Sequence, residues 1–254
     1  MARFSANLGF LWRDLPLPAA VRAAARAGFD AVECHFPYTT APEALAAALR
    51  ETGLPLLGLN TAPGPAGQFG LAALPGHAAE ARAGIEQAID YAAGLGCSAV
   101  HVMAGLAEGP EADRAFRAAL DHACTRAAPH GITVLIEPLN QRDVPGYFLQ
   151  TTDQALALIE ALARPNLKLM FDCYHVQISE GDVSRRLAHL LPHIGHVQIA
   201  GVPDRGRPDR GELHYPHLLR LLDDAGWTRP IGAEYRPEGA PEVSLDWLPL
   251  WQAL

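Results

Sequence analysis

Residues 133–140 read TVLIEPLN, so a short β-branched and apolar run ends on a glutamate that is followed by proline. The composition of the run is typical of a buried strand. Three later runs also finish on an oxygen-bearing side chain: residues 167–172 (LKLMFD), 194–198 (IGHVQ) and 231–234 (IGAE). Each of these four runs therefore places an oxygen-bearing side chain at its carboxyl end. The four terminal residues are Glu137, Asp172, Gln198 and Glu234.

Similar runs alternate with helical segments along the whole chain. The eight runs lie at residues 4–7, 31–34, 55–60, 99–103, 133–137, 167–172, 194–200 and 231–234. Helical periodicity is evident at residues 18–28, 41–53, 77–96, 112–131 and 151–163. Helix-ending glycines are expected at Gly28, Gly53, Gly96, Gly131 and Gly226, and Thr151 to Asp153 form a helix start. Eight strands alternating with helices in 254 residues predict one domain, a (β/α)8 TIM barrel over residues 1–254.

A doubly wound open sheet is the competing architecture, but no Gly-x-Gly-x-x-Gly turn follows the first strand. The barrel also accounts for the long loops at residues 61–76, 138–150 and 201–216, which all follow strands. Loops on that face of a barrel build active sites, so we expect the function to lie there.

Composition excludes several classes of protein. The formal net charge of −8 argues against a nucleic-acid surface, which needs clustered cations. No run approaches the ~20 apolar residues of a membrane span, and the first residues lack a signal peptide, so we expect a cytoplasmic protein with no membrane partner. The cysteines form no CxxC pair and are interpreted as small buried side chains; they are Cys34, Cys97, Cys124 and Cys173.

Alternate residues of a barrel strand point inward, which places Leu135 on the same inner face as Glu137. By the same alternation, all four strand-end side chains converge at the mouth of the barrel. Three carboxylates in a partly dry pocket are either protonated in part or held by a divalent cation. Oxygen ligands favour one Mg²⁺ or Mn²⁺ over zinc. His196 lies one layer deeper and is interpreted as a core histidine with a hydrogen-bond partner.

At this point the chain resembles the hydroxypyruvate isomerase family within the xylose isomerase-like barrels. The resemblance covers nearly the whole chain, through GFDAVECHFPY, LNTAPG, GLAALPGH, VHVMAG, LIEPLNQRDVPGYFL, FDCYHVQ, GHVQIAGVPDRGRPDRGELHYP and GAEYRP. It implies that Glu137, Asp172, Gln198 and Glu234 bind the metal, and that Glu137 and Glu234 are also the catalytic acid/base pair. Related sugar isomerases carry histidine where this chain has the amide of Gln198. A second departure is His35, where the family carries an apolar residue.

The implied reaction interconverts hydroxypyruvate and tartronate semialdehyde through an enediolate, with the metal as Lewis acid. His175 is a candidate donor to a substrate oxygen, and Arg205 a candidate partner for the substrate carboxylate. Glu212 is expected to anchor the loop of Arg205 through a neighbouring arginine. Weaker candidates for lining the substrate pocket are Asn7, Glu33, Asn60 and His101.

Several alternatives stay open at this stage. The same site would serve a 2-oxo-tetronate isomerase or a ketose 3-epimerase. An abasic-site endonuclease needs several histidine ligands and a basic face, which this chain lacks. A sugar-acid binding protein without turnover would need only one of the two glutamates. The apolar C-terminal segment, residues 243–254, is expected to pack over the barrel base or to form a homo-oligomer contact.

Overall fold

The computed structural model describes residues 2–254 and forms the predicted barrel. Eight parallel strands share one sheet in the order β2-β1-β8-β7-β6-β5-β4-β3. The ring is closed by a parallel bridge between Val32 and Leu56, and Leu57 donates its amide hydrogen to the Val32 carbonyl at 2.8 Å. The strands are β1 Phe4–Asn7, β2 Ala31–Glu33, β3 Leu59–Asn60, β4 Ala99–His101, β5 Thr133–Ile136, β6 Leu167–Asp172, β7 Ile194–Ile199 and β8 Ile231–Ala233.

Helices follow the strands and cover the outside of the sheet. They are α1 Leu17–Arg26, α2 Pro42–Thr52, α3 Ala78–Leu95, α4 Gly109–Ala127, α5 Thr152–Leu162, α6 Cys173–Ser179, α7 Val183–Leu190, α8 Tyr215–Asp224 and α9 Trp247–Gln252. Short 3₁₀ turns lie at Pro37–Thr39, Ala128–His130, Leu191–His193 and Pro241–Ser244. The five predicted helix-ending glycines all have positive φ angles, from 65° to 89°. Thr151 caps α5 by accepting the Gln154 amide at 3.1 Å.

The third strand is shorter than the predicted run of residues 55–60. Only Leu59 and Asn60 pair with β4, whereas Leu56 and Leu57 pair with β2 on the other side. Pro55 has no amide hydrogen, so the segment begins its pairing through its carbonyl, which accepts from Val32 at 3.0 Å. This run therefore joins β2 to β4 and closes the barrel.

Alternation along the strands separates the two buried faces as predicted. Val134 and Ile136 belong to the large core between sheet and helices, while Leu135 packs with Ala99 and Met170 in a small apolar layer inside the barrel. Polar side chains lie above this layer. The strand-end residues therefore stand on a rigid apolar base.

The C-terminal helix α9 packs against the outer side of β1. Trp247 meets Phe4 edge-to-face at 5.2 Å between ring centroids, and Gln252 donates to the Gly28 carbonyl at 2.9 Å. The chain itself thus buries Trp247, Leu248 and Trp251 of this segment, whereas Val243, Leu250 and Leu254 are exposed. All four cysteines are free and buried, as expected. No helix in residues 2–254 has the length and hydropathy needed to span a membrane.

Candidate active site

The four strand-end side chains converge at the carboxyl-terminal mouth of the barrel. Glu137 directly follows β5 and Glu234 directly follows β8, while β6 ends on Asp172, which is in register with Gln198 of β7. All four are buried. Glu137 and Glu234 both line a cavity of about 250 Å³ that opens at the mouth, and a pocket of about 30 Å³ lies beneath it. The two carboxylates therefore face one shared space.

Arg205 from the loop after β7 enters this site. Its Nη2 donates to Glu234 Oε1 at 2.9 Å and to Asp172 Oδ2 at 3.3 Å. The guanidinium lies between two rings, with Cζ 4.9 Å from the Phe10 centroid and 5.0 Å from the Tyr174 centroid. Ion pairs and ring faces together hold the group in one orientation.

The loop itself places Arg205 inward. Arg205 adopts a left-handed φ of 55°, and the loop is pinned by a Gly201–Gly206 bridge in which the Gly201 amide donates at 2.7 Å. Its neighbours in the sequence differ: Arg207 pairs with Asp209 at 2.7 Å, and the Arg210 side chain is 62% exposed. Of the three loop arginines, Arg205 is the one that reaches the site.

Burial dominates the electrostatics of the carboxylates. It raises the pKa of Glu137 well above its usual value, and the neighbouring charges of Glu234 and Asp172 raise it further. Burial also raises the pKa of Asp172 to about 7, although Arg205 opposes that shift. For Arg205, burial lowers the pKa, but Glu234 and Asp172 outweigh it and the net shift is upward. One arginine thus faces three buried carboxylates and compensates only part of their negative charge.

His175 is a neutral donor in this arrangement. Its Nδ1 accepts the backbone amide of Asn140 at 3.0 Å and faces the side-chain amide of the same residue at 2.7 Å. Burial, followed by the charge of Arg205, lowers the pKa of His175 well below its usual value. Since Nδ1 accepts, the proton of the neutral ring resides on Nε2, which lies 3.7 Å from Asp172 Oδ2 and 3.9 Å from Glu137 Oε1.

The tautomer of His175 matters for metal binding. Atoms of Glu137, Asp172 and His175 lie within 4.8 Å of one another, close enough to share an ion. An Nε2 that carries a proton offers no lone pair, however, so His175 suits a donor role better than a ligand role. The carboxylate and amide oxygens at the strand ends are better suited than His175 Nε2–H to bind Mg²⁺ or Mn²⁺.

Two buried oxygen atoms at the strand ends are available as ligands. Glu137 Oε1 and Gln198 Oε1 are buried and have no hydrogen-bond partner within residues 2–254. Unpartnered buried acceptors are costly, and a cation is the natural partner for a carboxylate and an amide oxygen together. These two acceptors lie in the part of the barrel where ligand atoms of Glu137, Asp172 and His175 come within 4.8 Å of one another.

The weaker candidates divide between the cavity and the barrel interior. Asn60 and His101 line the cavity, and His101 Nδ1 lies 3.7 Å from Glu137 Oε2. Burial lowers the pKa of His101 to about 3, so its ring is neutral. Asn7 and Glu33 border only the small pocket below, where Asn7 Nδ2 donates to Glu33 Oε1 at 3.0 Å.

His196 hydrogen-bonds Glu33 through Nε2, which confirms the interpretation of His196 as a core histidine with a partner. The expectation for Glu212 is wrong. Its carboxylate is exposed and accepts from Gln177 Nε2 at 3.1 Å; among residues 2–254 no arginine bonds to it, and it lines neither the cavity nor the pocket below. Its loop is tied down instead by backbone bonds, including the Glu212 amide to the Val202 carbonyl at 3.0 Å.

Sequence reasoning missed several residues of the site. Phe10 and Tyr174 sandwich Arg205, and Asn140 sets the His175 tautomer. His35, noted in the sequence as a departure from the family, does line the cavity, with Nε2 3.4 Å from Glu234 Oε1. Their position after strands was visible in the sequence, but their partners come from distant strands.

Comparison with known proteins shows the family to which the chain belongs. Residues 21–251 match the family described as the xylose isomerase-like TIM barrel, and the chain belongs to that family. Within it, the chain is 45% identical to the putative hydroxypyruvate isomerase of Homo sapiens, covering 97% of this chain and 94% of the relative. It is 46% identical to the 2-oxo-tetronate isomerase of Cupriavidus necator, covering 98% of each.

Among solved structures, a Brucella melitensis protein described as an AP endonuclease of family 2 has a TM-score of 0.95 and 40% identity, covering 98% of this chain and 99% of that one. The full-length relatives place the chain in the hydroxypyruvate isomerase family and show that it is an isomerase.

Proposed function

We propose that this isomerase interconverts hydroxypyruvate and tartronate semialdehyde through an enediolate, with one divalent ion, Mg²⁺ or Mn²⁺. The observation that carries the proposal is that Glu137 and Glu234 line one cavity together with the neutral His175 and the buried Arg205. Two carboxylates that can exchange protons, beside a hydrogen-bond donor and a cation, are the groups needed to move a proton between adjacent carbons of a small anion.

The two glutamates are the proposed proton carriers. One glutamate accepts a proton from the hydroxymethyl carbon, and the other, in its protonated form, donates its own proton to the neighbouring carbon, each such transfer being worth about 10²–10⁴-fold. The raised pKa of Glu137 suits this role because a more basic carboxylate is a better proton acceptor. A bound divalent ion, held by Glu137, Asp172, Gln198 and Glu234, would supply Lewis-acid polarisation of the substrate oxygens.

Two further side chains have roles toward the substrate. His175 Nε2–H is buried without a partner within residues 2–254 and is available to donate to a substrate oxygen as negative charge develops there. Arg205 keeps its Nε–H unpaired while Nη2 is engaged by the carboxylates. That free donor supports the proposal that Arg205 binds the substrate carboxylate.

A four-carbon substrate, 2-oxo-tetronate, is the second candidate. A cavity of about 250 Å³ leaves space beyond a three-carbon acid, and a relative at 46% identity is a 2-oxo-tetronate isomerase. DNA cleavage fits the chain less well, because the formal net charge is −8 and the carboxylates lie buried in the barrel. A cytoplasmic location and a homo-oligomer stay predictions.

Solvent deuterium exchange tests the proposal directly. The protein is incubated with Mn²⁺ or Mg²⁺ in D₂O and hydroxypyruvate, and ¹H NMR follows exchange at the hydroxymethyl carbon and the appearance of the aldehyde. We expect both, and both should stop when a chelator removes the ion. Exchange without metal, or no exchange with either ion, would contradict the proposal. Comparing kcat/KM for hydroxypyruvate and 2-oxo-tetronate then chooses between the two acids.

A further inference from the structure

Glu33 reaches across the interior of the barrel. It ends β2, yet its carboxylate accepts the side-chain amide of Gln198 on β7 at 2.9 Å, although β1 and β8 lie between those strands. The reach is possible because Gly232 of β8 has no side chain. A Cβ there would lie 2.6 Å from Glu33 Oε1 and 2.8 Å from Gln198 Cγ. The contact between Glu33 and Gln198 is thus built into the strand sequence.

Four donors hold the Glu33 carboxylate in place. Asn7 and Gln198 donate to Oε1, while Ser5 Oγ, at 3.2 Å, and His196 Nε2 meet Oε2. Asn7 is itself oriented, since its Oδ1 accepts the Gly9 amide at 2.9 Å. The carboxylate therefore has little freedom to rotate, and it offers Gln198 an acceptor in a set position.

A fixed acceptor selects one orientation of the Gln198 amide. With the NH₂ group on Glu33, the amide oxygen points away from Glu33 and is left buried without a hydrogen-bond partner within residues 2–254. The flipped amide would instead place its oxygen against the carboxylate, where the two acceptors repel.

We infer that Glu33 is a positioning residue, which turns the Gln198 amide so that its oxygen is presented as a ligand to the divalent ion. The inference rests on the proposed function, because it needs an ion at the mouth. Glu33, at the end of the second strand, would thus contribute to ion binding only through Gln198, without touching the ion or the substrate itself.

Affinity for Mn²⁺, measured by the electron paramagnetic resonance signal of the free ion, tests the inference without an activity assay. Glu33→Gln should raise the Kd by about 10- to 100-fold, because the neutral amide no longer selects the orientation of Gln198. Glu180→Gln is the matched control. Glu180 is a mostly buried carboxylate that accepts from Thr152 at 2.8 Å outside the cavity, so its loss should leave the Kd unchanged.

A double-mutant cycle separates positioning from a general structural role. If Glu33 acts through Gln198, then Glu33→Gln should cost little further affinity in a Gln198→Ala background. A loss of the same size in both backgrounds would overturn the inference. So would an unchanged Kd for Glu33→Gln in a protein whose wild type binds Mn²⁺.

Failure of the proposed function has a different outcome. If the wild-type protein binds no Mn²⁺ or Mg²⁺, the metal-dependent reaction is wrong and the positioning role falls with it. Should Glu33→Gln not fold, Glu33→Asp replaces it: the charge is kept but the shorter side chain cannot reach Gln198. Wild-type affinity in that variant would equally overturn the inference.

Discussion

The interior of the barrel contains two polar layers that are built in opposite ways. The lower layer is centred on Glu33, whose oxygens accept from four donors. The upper layer, at the mouth, holds three carboxylates against one arginine and leaves Glu137 Oε1 and His175 Nε2 without partners within residues 2–254. Both layers are buried to a similar degree, so burial alone does not distinguish them.

The difference is in how completely the polar groups are satisfied. Burial raises the pKa of Glu33, but the charge of His196 and the hydrogen bonds outweigh it, and the net shift is downward. The pKa of Glu137 moves upward, because burial and the charges of Glu234 and Asp172 outweigh the opposing charge of Arg205. The lower layer stabilises its charge with hydrogen-bond donors, while the upper layer retains unfavourable electrostatics of the kind that clusters at functional sites.

The largest effect should come from the two cavity glutamates. In Glu137→Gln and Glu234→Gln the amide keeps an oxygen for the ion but cannot accept a proton. We expect kcat at saturating Mn²⁺ to fall by at least about 10²-fold in each variant. The double variant should lose far less than the product of the two, because both residues serve the same isomerisation and the loss of either already stops it. Full activity of either single variant would show that the acid/base role belongs elsewhere.

Arg205→Lys should raise the KM for hydroxypyruvate about tenfold. An ammonium lacks the planar fork that stacks between Phe10 and Tyr174 and that leaves Nε–H free for a carboxylate. Steady-state kinetics measure the change. Arg210→Lys is the control, since that arginine is mostly exposed, and its KM should not move. Equal KM values for both variants would remove Arg205 from substrate binding.

Glu137→Gln should stabilise the protein when a chelator is present. The folded-state pKa of Glu137 lies above its unfolded value, so the folded protein holds this proton more tightly. Below the unfolded pKa, about 4.3, the carboxyl costs nothing; as the pH rises above it, stability is lost. We expect the melting temperature of the variant in EDTA to exceed that of the wild type by at least about 2 °C at pH 7. The difference should vanish near pH 4, and a lower melting temperature at pH 7 would contradict the contrast between the layers.

The smallest effect should follow Glu212→Ala. This carboxylate is exposed and bonds only Gln177 within residues 2–254, so neither layer loses a contact. Both kcat and KM should stay within about twofold of the wild type. A larger change in KM would mean that the loop after β7 depends on Glu212 in a way that its contacts do not indicate.

Much of the barrel was predictable because its patterns are local. Helix-ending glycines, Thr151 as a cap and the strand runs were read from a few adjacent residues, and the structure has the glycine ends, the cap and a strand within each run. The run of residues 55–60 was predicted as one strand, but its two halves pair with different strands. The pairing partners of a strand cannot be read from the residues of that strand alone.

The amino-acid sequence alone determined which side chains stand at the strand ends. Strict alternation along a strand and parallel strands in a ring bring Glu137, Asp172, Gln198 and Glu234 to one mouth whatever the loops do. Only the tertiary structure decided how those groups are partnered. The burial of Arg205 between two rings, the proton on His175 Nε2 and the reach of Glu33 to Gln198 each join residues from different strands or loops. Hydrogen bonds and ion pairs act over a few ångströms, so they exist only once the closed barrel has set those distances.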